Sequence, residues 1–417
     1  MKKFLIVVIC AIAVDAFLWD FTLTILPFIS SKRFMALFGA AAFFFKGIRE
    51  HNPSFSRRVI VSAILAFLFS LWCYVAITIN GTDDRTYVTY FGSFATWLSA
   101  AYGVYAVIHY LHGRADLMVI TRYVAIVCVA QCIIALLIDN VPMVKSVVQS
   151  VFLYSYEYFE NIGRLYGIGC ALDPAGVRFS AVQVLIAHQI VAEPRVRGNL
   201  SRFSFMFIAF LVITVIGCII ARTTMVGSAL GLAYIAIGMF RVQRGGYVSR
   251  IQVILTALLF VLLASAIGIS VYLYQTSASF YSDIRFGFEG FFNWVETGEF
   301  RTNSTDILMN VMWIWPEDLH GWWVGYGKYG LYTWGTDIGY CNFVLYCGLV
   351  GLVIYSIYYL FNHLSLISKF NRFVLPALLL TAVTFIVWAK VATDIFLIDA
   401  LLFCIDGDKE APPVKTA

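Results

Sequence analysis

Runs of about 20 consecutive apolar residues recur along this 417-residue chain, and they limit its fold more than any motif does. A run of that length crosses the ~30 Å hydrocarbon core as one α-helix, because lipid offers no partner to a backbone N–H or C=O. The clear runs are Val59–Ile79, Tyr90–Leu111, Leu117–Ile138, Phe203–Ile220, Met225–Phe240, Ile251–Tyr274 and Ile338–Phe361. Phe4–Phe45 is long enough for two spans, with a turn between Pro27 and Arg33. Arg178–Ala192 is shorter and carries His188, yet alternation of the loops requires a crossing there. Phe373–Ile405 is too long for one span and divides near Lys390 and Asp394. The chain is 61% hydrophobic and 13% charged, against about 45–50% and about 25% in soluble domains. The expectation is an all-α polytopic membrane protein of about 12 transmembrane helices.

The amino terminus, MKKFLIVVICAIA, has the lysines, apolar run and Ala-Ile-Ala of a signal peptide. The apolar run continues towards Ile29, which predicts an uncleaved first span. With Lys2 and Lys3 inside, alternation puts the basic segments Lys46–Arg58, His112–Asp116, Glu193–Arg202, Arg241–Arg250 and Phe361–Arg372 inside as well. Most acidic residues then fall outside, so two charge biases agree on one orientation. The net charge of +5 is therefore a matter of membrane orientation, and no nucleic-acid partner is expected. Nine cysteines without a CxxC suggest neither a disulfide framework nor a metal site.

Only two loops are long, residues 139–177 and 275–336, and both fall outside. No linker divides residues 1–405, which are expected to form a single transmembrane domain, with 406–417 as a disordered cytoplasmic tail. Long loops in compact proteins tend to carry function. The first holds Arg164 and Asp173 within GRLYGIGCALDPAG, with Arg178 just beyond. The second holds Arg301, His320, Trp323, Lys328 and, at its end, Asp337 and Tyr340. Guanidinium groups bind phosphate oxygens bidentately, and aromatic faces stack on sugar rings. Arg222 stands in a minimal turn, Ala221-Arg222-Thr223-Thr224, between two apolar runs, where a charge usually has a partner or a task. Asp406-Gly407-Asp408 looks like a metal-binding DxD but falls in the tail. Lys390 and Asp394, spaced i, i+4, could pair on one helix face and, with Asp399, line an ion path.

Four stretches together resemble the O-antigen polymerase and ligase group of bacterial polysaccharide enzymes. Arg164-Leu-Tyr-Gly167 with Asp173-Pro174 is similar to that group's outer-loop element before a span. Ala221-Arg222-Thr223 resembles its short S-R-T turn. Pro316 with Gly325-Tyr326-Gly327, downstream of Arg301, resembles its P…G-x-G segment. Asp337-Ile-Gly-Tyr340 with Gly348-Leu-Val-Gly351 resembles the start of the following span. Ligases of the group tend to carry a His-Asn pair where this chain has Asp337-Ile338-Gly339, so the polymerase branch is favoured. Asp173-Pro174-Ala175 replaces the commoner Pro-Asn of the first element.

The resemblance implies a membrane glycosyltransferase of GT-C-like architecture in the cell inner membrane, with its active site facing the periplasm. Its donor would be an undecaprenyl-pyrophosphate-linked oligosaccharide, used without cofactor or metal. Arg164, Arg222 and Arg301 would hold the departing pyrophosphate, with Arg178 assisting. Asp337 would be the base, ahead of Asp173 and His320. Lys328, Trp323 and Tyr340 would contact substrate, and a chain-length regulator is a possible partner protein. The alternatives are a ligase that transfers polymer to a lipid A-core acceptor and a flippase or transporter of the same lipid-linked oligosaccharide.

Overall fold

A computed structural model describes residues 2–50, 55–153, 158–159, 164–244, 261, 265, 268–269, 271–299 and 301–408. Apart from one two-residue strand pairing, the regular elements are helical. Among the described residues six helices are long and apolar enough to cross a membrane. They are α3 (Arg57–Asn80), α4 (Tyr90–His112), α5 (Leu117–Asn140), α7 (Leu172–Ala192), α8 (Leu200–Ile220) and α14 (Gly339–Ser365), so the chain has the character of a multi-pass membrane protein. The shorter apolar helices lie within α9 (Thr224–Arg244) and α15 (Val374–Trp388). The remaining helices of five or more residues among the described ones are α1 (Lys2–Leu18), α2 (Ser31–Glu50), α6 (Pro142–Val151), α10 (Ala278–Gly287), α11 (Glu289–Thr297), α12 (Asn303–Val311), α13 (Leu319–Trp323) and α16 (Phe396–Cys404).

Phe4–Phe45, expected to hold two spans, forms α1 and α2, and Phe373–Ile405 divides into α15 and α16, but none of these four is among the six helices long and apolar enough to cross. Lys390 and Asp394 both lie in the non-helical stretch between α15 and α16, so they do not share a helix face. The span expected over Ile251–Tyr274 falls largely outside the described residues, as do Tyr154, Tyr156, Glu157 and Glu160. Helix ends follow local chemistry. Ser56 caps α3 by accepting a hydrogen bond from the Val59 amide, and Gly81 ends it at φ 62°, a left-handed position that suits glycine. The start of the tail is not loose. The Asp406 carboxylate accepts from the Ala115 amide at 2.7 Å, and the Asp406 amide donates back to the Ala115 carbonyl at 3.0 Å.

The chain forms two compact units. The first comprises Met1–Asp20, Phe28–Leu117 and Asn303–Ala417. In it α2 and α4 cross closely, since a Cβ on Gly39 would lie 1.8 Å from the Ser99 carbonyl oxygen. Small residues allow such approach where lipid gives helices no hydrophobic reason to associate. Helix α14 is broken at Gly348 (φ 66°, ψ −177°). At the break, donors from outside the helix reach its carbonyls. The Tyr326 and Gly327 amides donate to Leu345 and Tyr346 at 2.7 and 3.0 Å, and the Trp72 indole donates to Cys347 at 2.7 Å. A helix break inside an apolar bundle needs such substitute donors. The Gly325-Tyr326-Gly327 motif is therefore a backbone fitting for the broken helix. A Cβ on Gly325 would meet the Tyr346 carbonyl carbon at 2.5 Å, and one on Gly348 the Trp323 carbonyl oxygen at 2.2 Å.

The second unit comprises Phe21–Pro27 and Met118–Thr302, with strands Thr22–Leu23 and Phe152–Leu153 paired antiparallel. Helix α7 is its axis and is buried along most of its length. Gly227 on α9 sits against the Ser180 backbone, where a Cβ would come within 2.2 Å of its Cα. Ser180 accepts from the Gly227 amide at 3.0 Å and donates to the Thr223 carbonyl at 2.8 Å. Gln183 donates to Thr214 and Ser228, both at 2.8 Å, tying α7 to α8 and α9 through polar groups. Buried polar groups satisfied in this way fix the register of the three helices.

Candidate functional site

The second unit collects charge where α7 and α9 begin and α8 ends. Helix α8 stops at Ala221, whose backbone is extended, and Arg222 follows in the tight turn that starts α9. Gly176 on α7 lets that turn approach, since a Cβ there would come within 2.0 Å of the Thr223 hydroxyl. The loop before α7 is held by Gln131 of α5, whose side-chain oxygen accepts from the Ile168 amide at 2.9 Å. Leu165, Tyr166 and Cys170 are buried, leaving Arg164 as the half-buried polar group of that loop.

Two guanidinium groups meet at one ring. Arg222 lies over Phe286 at 4.0 Å and Arg164 at 5.3 Å from the ring centroid. Each contact contributes ~0.5–2 kcal/mol, more as water is removed. The Phe286 carbonyl also accepts from Arg222 Nε at 2.9 Å, and Glu289 pairs with Arg222 at 2.7 Å. Helix α10 ends just after Phe286, and Glu289 opens α11, where a negative charge suits the helix dipole. Asp173, in the first turn of α7, accepts from the Thr223 hydroxyl at 3.2 Å. Burial holds the Arg222 guanidinium below its ordinary pKa. Glu289 opposes that shift, Arg164 adds to it as a like charge, and Asp173 opposes it again. The result is two cations at one aromatic ring and two carboxylates acting on Arg222, which is half withdrawn from water.

Compared with protein-family models, curated proteins and solved structures, the chain matches none. The cluster has to be read from its own chemistry. Partly desolvated guanidinium forks on an aromatic platform suit a multiply charged oxyanion such as a phosphate or pyrophosphate.

The sequence candidates divide between the units. Arg164, Asp173, Arg178, Arg222 and Arg301 belong to the second, and His320, Trp323, Lys328, Asp337 and Tyr340 to the first. Of the three expected arginines, the structure brings Arg164 and Arg222 together. Arg301 is exposed and pairs with Glu299 at 3.0 Å. Arg178 is half-buried in α7. In the first unit Asp337 is exposed just before α14. His320 Nε2 lies 3.0 Å from the Asn80 side-chain oxygen. Trp323 is exposed, and Lys328 is exposed while its carbonyl accepts from the Trp334 indole at 2.8 Å. Tyr340 turns to α15 and donates to the Phe385 carbonyl at 2.8 Å. Asp84 accepts from the Tyr329 amide at 2.8 Å, and its carbonyl accepts from the Tyr346 hydroxyl at 2.6 Å. Burial raises the Tyr329 phenol, with Asp337 and Asp84 adding to it as negative charges. Sequence reasoning missed Phe286 and Glu289, which sit among ordinary aromatic and acidic residues of the long loop with no motif to mark them.

Proposed function

We propose that the chain joins undecaprenyl-pyrophosphate-linked oligosaccharide repeat units at the outer face of a bacterial inner membrane. It would act as a metal-independent polymerase of O-antigen or capsular polysaccharide. The observation that carries this reading is the meeting of Arg164 and Arg222 at Phe286. These residues come from two of the stretches that resemble the polymerase group, and they are 58 positions apart in sequence.

In the reaction a hydroxyl of one unit attacks the anomeric carbon of another chain. The bond from that carbon to the pyrophosphate oxygen breaks, and the hydroxyl proton passes to a base. Negative charge grows on the leaving pyrophosphate, and preorganised donors aimed at such charge supply much of a catalyst's effect. Arg164 and Arg222 fill that role, with Arg301 and Arg178 as further donors. Glu289 engages the edge of Arg222 that a pyrophosphate oxygen would take, so donor binding exchanges one anion for another. Asp337 is the first choice of base, Asp173 the second and His320 the third. Asp173 already lies in the arginine cluster. The pyrophosphate linkage supplies the driving force, so the reading needs no cofactor. A ligase would differ only in its acceptor, and product analysis of a deletion strain separates the two.

Replacing Arg222 tests the reading. Arg222→Ala is expected to lower the rate about a hundredfold or more, and Arg222→Lys to fall short of wild type because a point charge cannot replace the fork. Cells would then carry single capped repeats. Normal long chains from stably inserted Arg222→Ala protein would remove Arg222 from the site.

A further inference from the structure

Among the described residues of the first unit, one ion pair is fully buried. His363 on α14 and Asp399 on α16 have no exposed surface, and His363 Nε2 lies 3.3 Å from Asp399 Oδ2. Asp399 is the one acidic side chain buried to this degree among the described residues. Five buried polar atoms without a hydrogen-bond partner occur on this pair and its neighbours on α14: both Asp399 oxygens, His363 Nε2, the Tyr358 hydroxyl and Asn362 Nδ2. An ionised carboxylate left without donors in an apolar bundle is costly, more so than an uncharged polar group.

The Thr381 hydroxyl on α15 has one proton for two acceptors, the Ala377 carbonyl at 2.9 Å and His363 Nδ1 at 3.0 Å. If the carbonyl takes it, Nδ1 carries a proton, and in a neutral ring a bare Nε2 faces a carboxylate oxygen. If Nδ1 takes it, Nε2–H faces the carboxylate, and the buried pair keeps one uncompensated negative charge. A single additional proton between Nε2 and Oδ2 removes the cost in either arrangement.

We propose that His363 and Asp399 form a proton-binding site within the helical bundle, holding one shared proton between Nε2 and Oδ2. The other titratable groups facing it are phenols. The Tyr359 ring is tilted against His363 at 5.9 Å, its hydroxyl lies 2.9 Å from that of Tyr90, and Tyr358 sits one turn before Asn362. Beyond them Tyr355 donates to Asp394 at 3.4 Å, and at the far end of α16 the Lys369 ammonium is committed to the Phe403 carbonyl at 2.8 Å. Ser62 on α3 donates to Asn362 at 2.7 Å, so α3 brings a hydroxyl and no charge to the layer. Helix α16 has nine residues, too few to span a bilayer, and eight of them are buried. The shared proton leaves the pair without net charge, and this ties proton occupancy to the packing of α16 on α14.

The test uses the full chain in lipid bilayers. Infrared spectra should contain a protonated carboxyl band that persists at alkaline pH and is lost in Asp399→Asn. Alternatively, nitrogen-15 spectra of histidine-labelled protein should contain a ring protonated at both nitrogens, lost in His363→Gln. Either result supports the site, since the proton rests on one partner or the other. Absence of both signals from the wild-type protein would overturn the proposal, and that measurement stands even if neither variant folds.

Discussion

Arg222 and Glu289 form the contact on which the arginine cluster turns. The guanidinium is half-buried, bound to the Phe286 carbonyl and paired with one carboxylate at 2.7 Å. If that carboxylate only fills the place of a substrate oxyanion, removing its charge should favour the substrate. Glu289→Gln is then expected to lower KM for the lipid-pyrophosphate donor by up to about tenfold, equivalent to ~1.4 kcal/mol, with kcat nearly unchanged. A general base would behave otherwise, and its loss would lower kcat by about 10²–10⁴ with little change in KM. Steady-state kinetics on purified protein separates the two, and a collapse of kcat would make Glu289 a participant in proton transfer.

Helix α14 illustrates how an element can be legible in outline and hidden in detail. Its apolar run predicts a span over Ile338–Phe361, and the helix covers Gly339–Ser365. The break at Gly348 is invisible to hydropathy, because glycine in an apolar run reads as a small residue that fits between helices. Its cause lies elsewhere in the chain, in the amides of Tyr326 and Gly327. Gly348→Ala is expected to lower the melting temperature by several degrees. It adds backbone strain of ~1–2 kcal/mol at positive φ to a clash with the Trp323 carbonyl. Gly81→Ala, at a similar φ with open space around it, carries the strain alone and should cost less. Equal losses in thermal unfolding would mean that the fit at the break is not what holds Gly348. The same limit explains what else the sequence concealed. Run length and charge marked the helix ends and the division near Lys390, because those are local properties. The partner of Asp399 proved to be His363 on another helix, and the partner of Arg222 proved to be Glu289. Partners 36 and 67 residues apart leave no local pattern.

At the scale of the whole molecule, the proposed reaction depends on which side of the membrane each long loop faces. The alternation expected from the sequence, about 12 spans from an inside amino terminus, would put Lys328 outside and Arg202, at the start of α8, inside. Both side chains are exposed, so each position is accessible to a reagent on its own side. Eight of the nine native cysteines are buried and the ninth, Cys404, is half-buried, so their background reaction should be weak. A membrane-impermeant maleimide added to intact cells with a permeabilised outer membrane should label Lys328→Cys and spare Arg202→Cys. Disrupting the inner membrane should make Arg202→Cys reactive. The number of crossings between residues 202 and 328 includes the stretch Ile251–Tyr274, so labelling also tests whether that stretch spans. If it did not, both cysteines would lie inside and neither would label before the inner membrane was disrupted, and the second outer loop would be taken from the side on which its Phe286 and Glu289 meet Arg222.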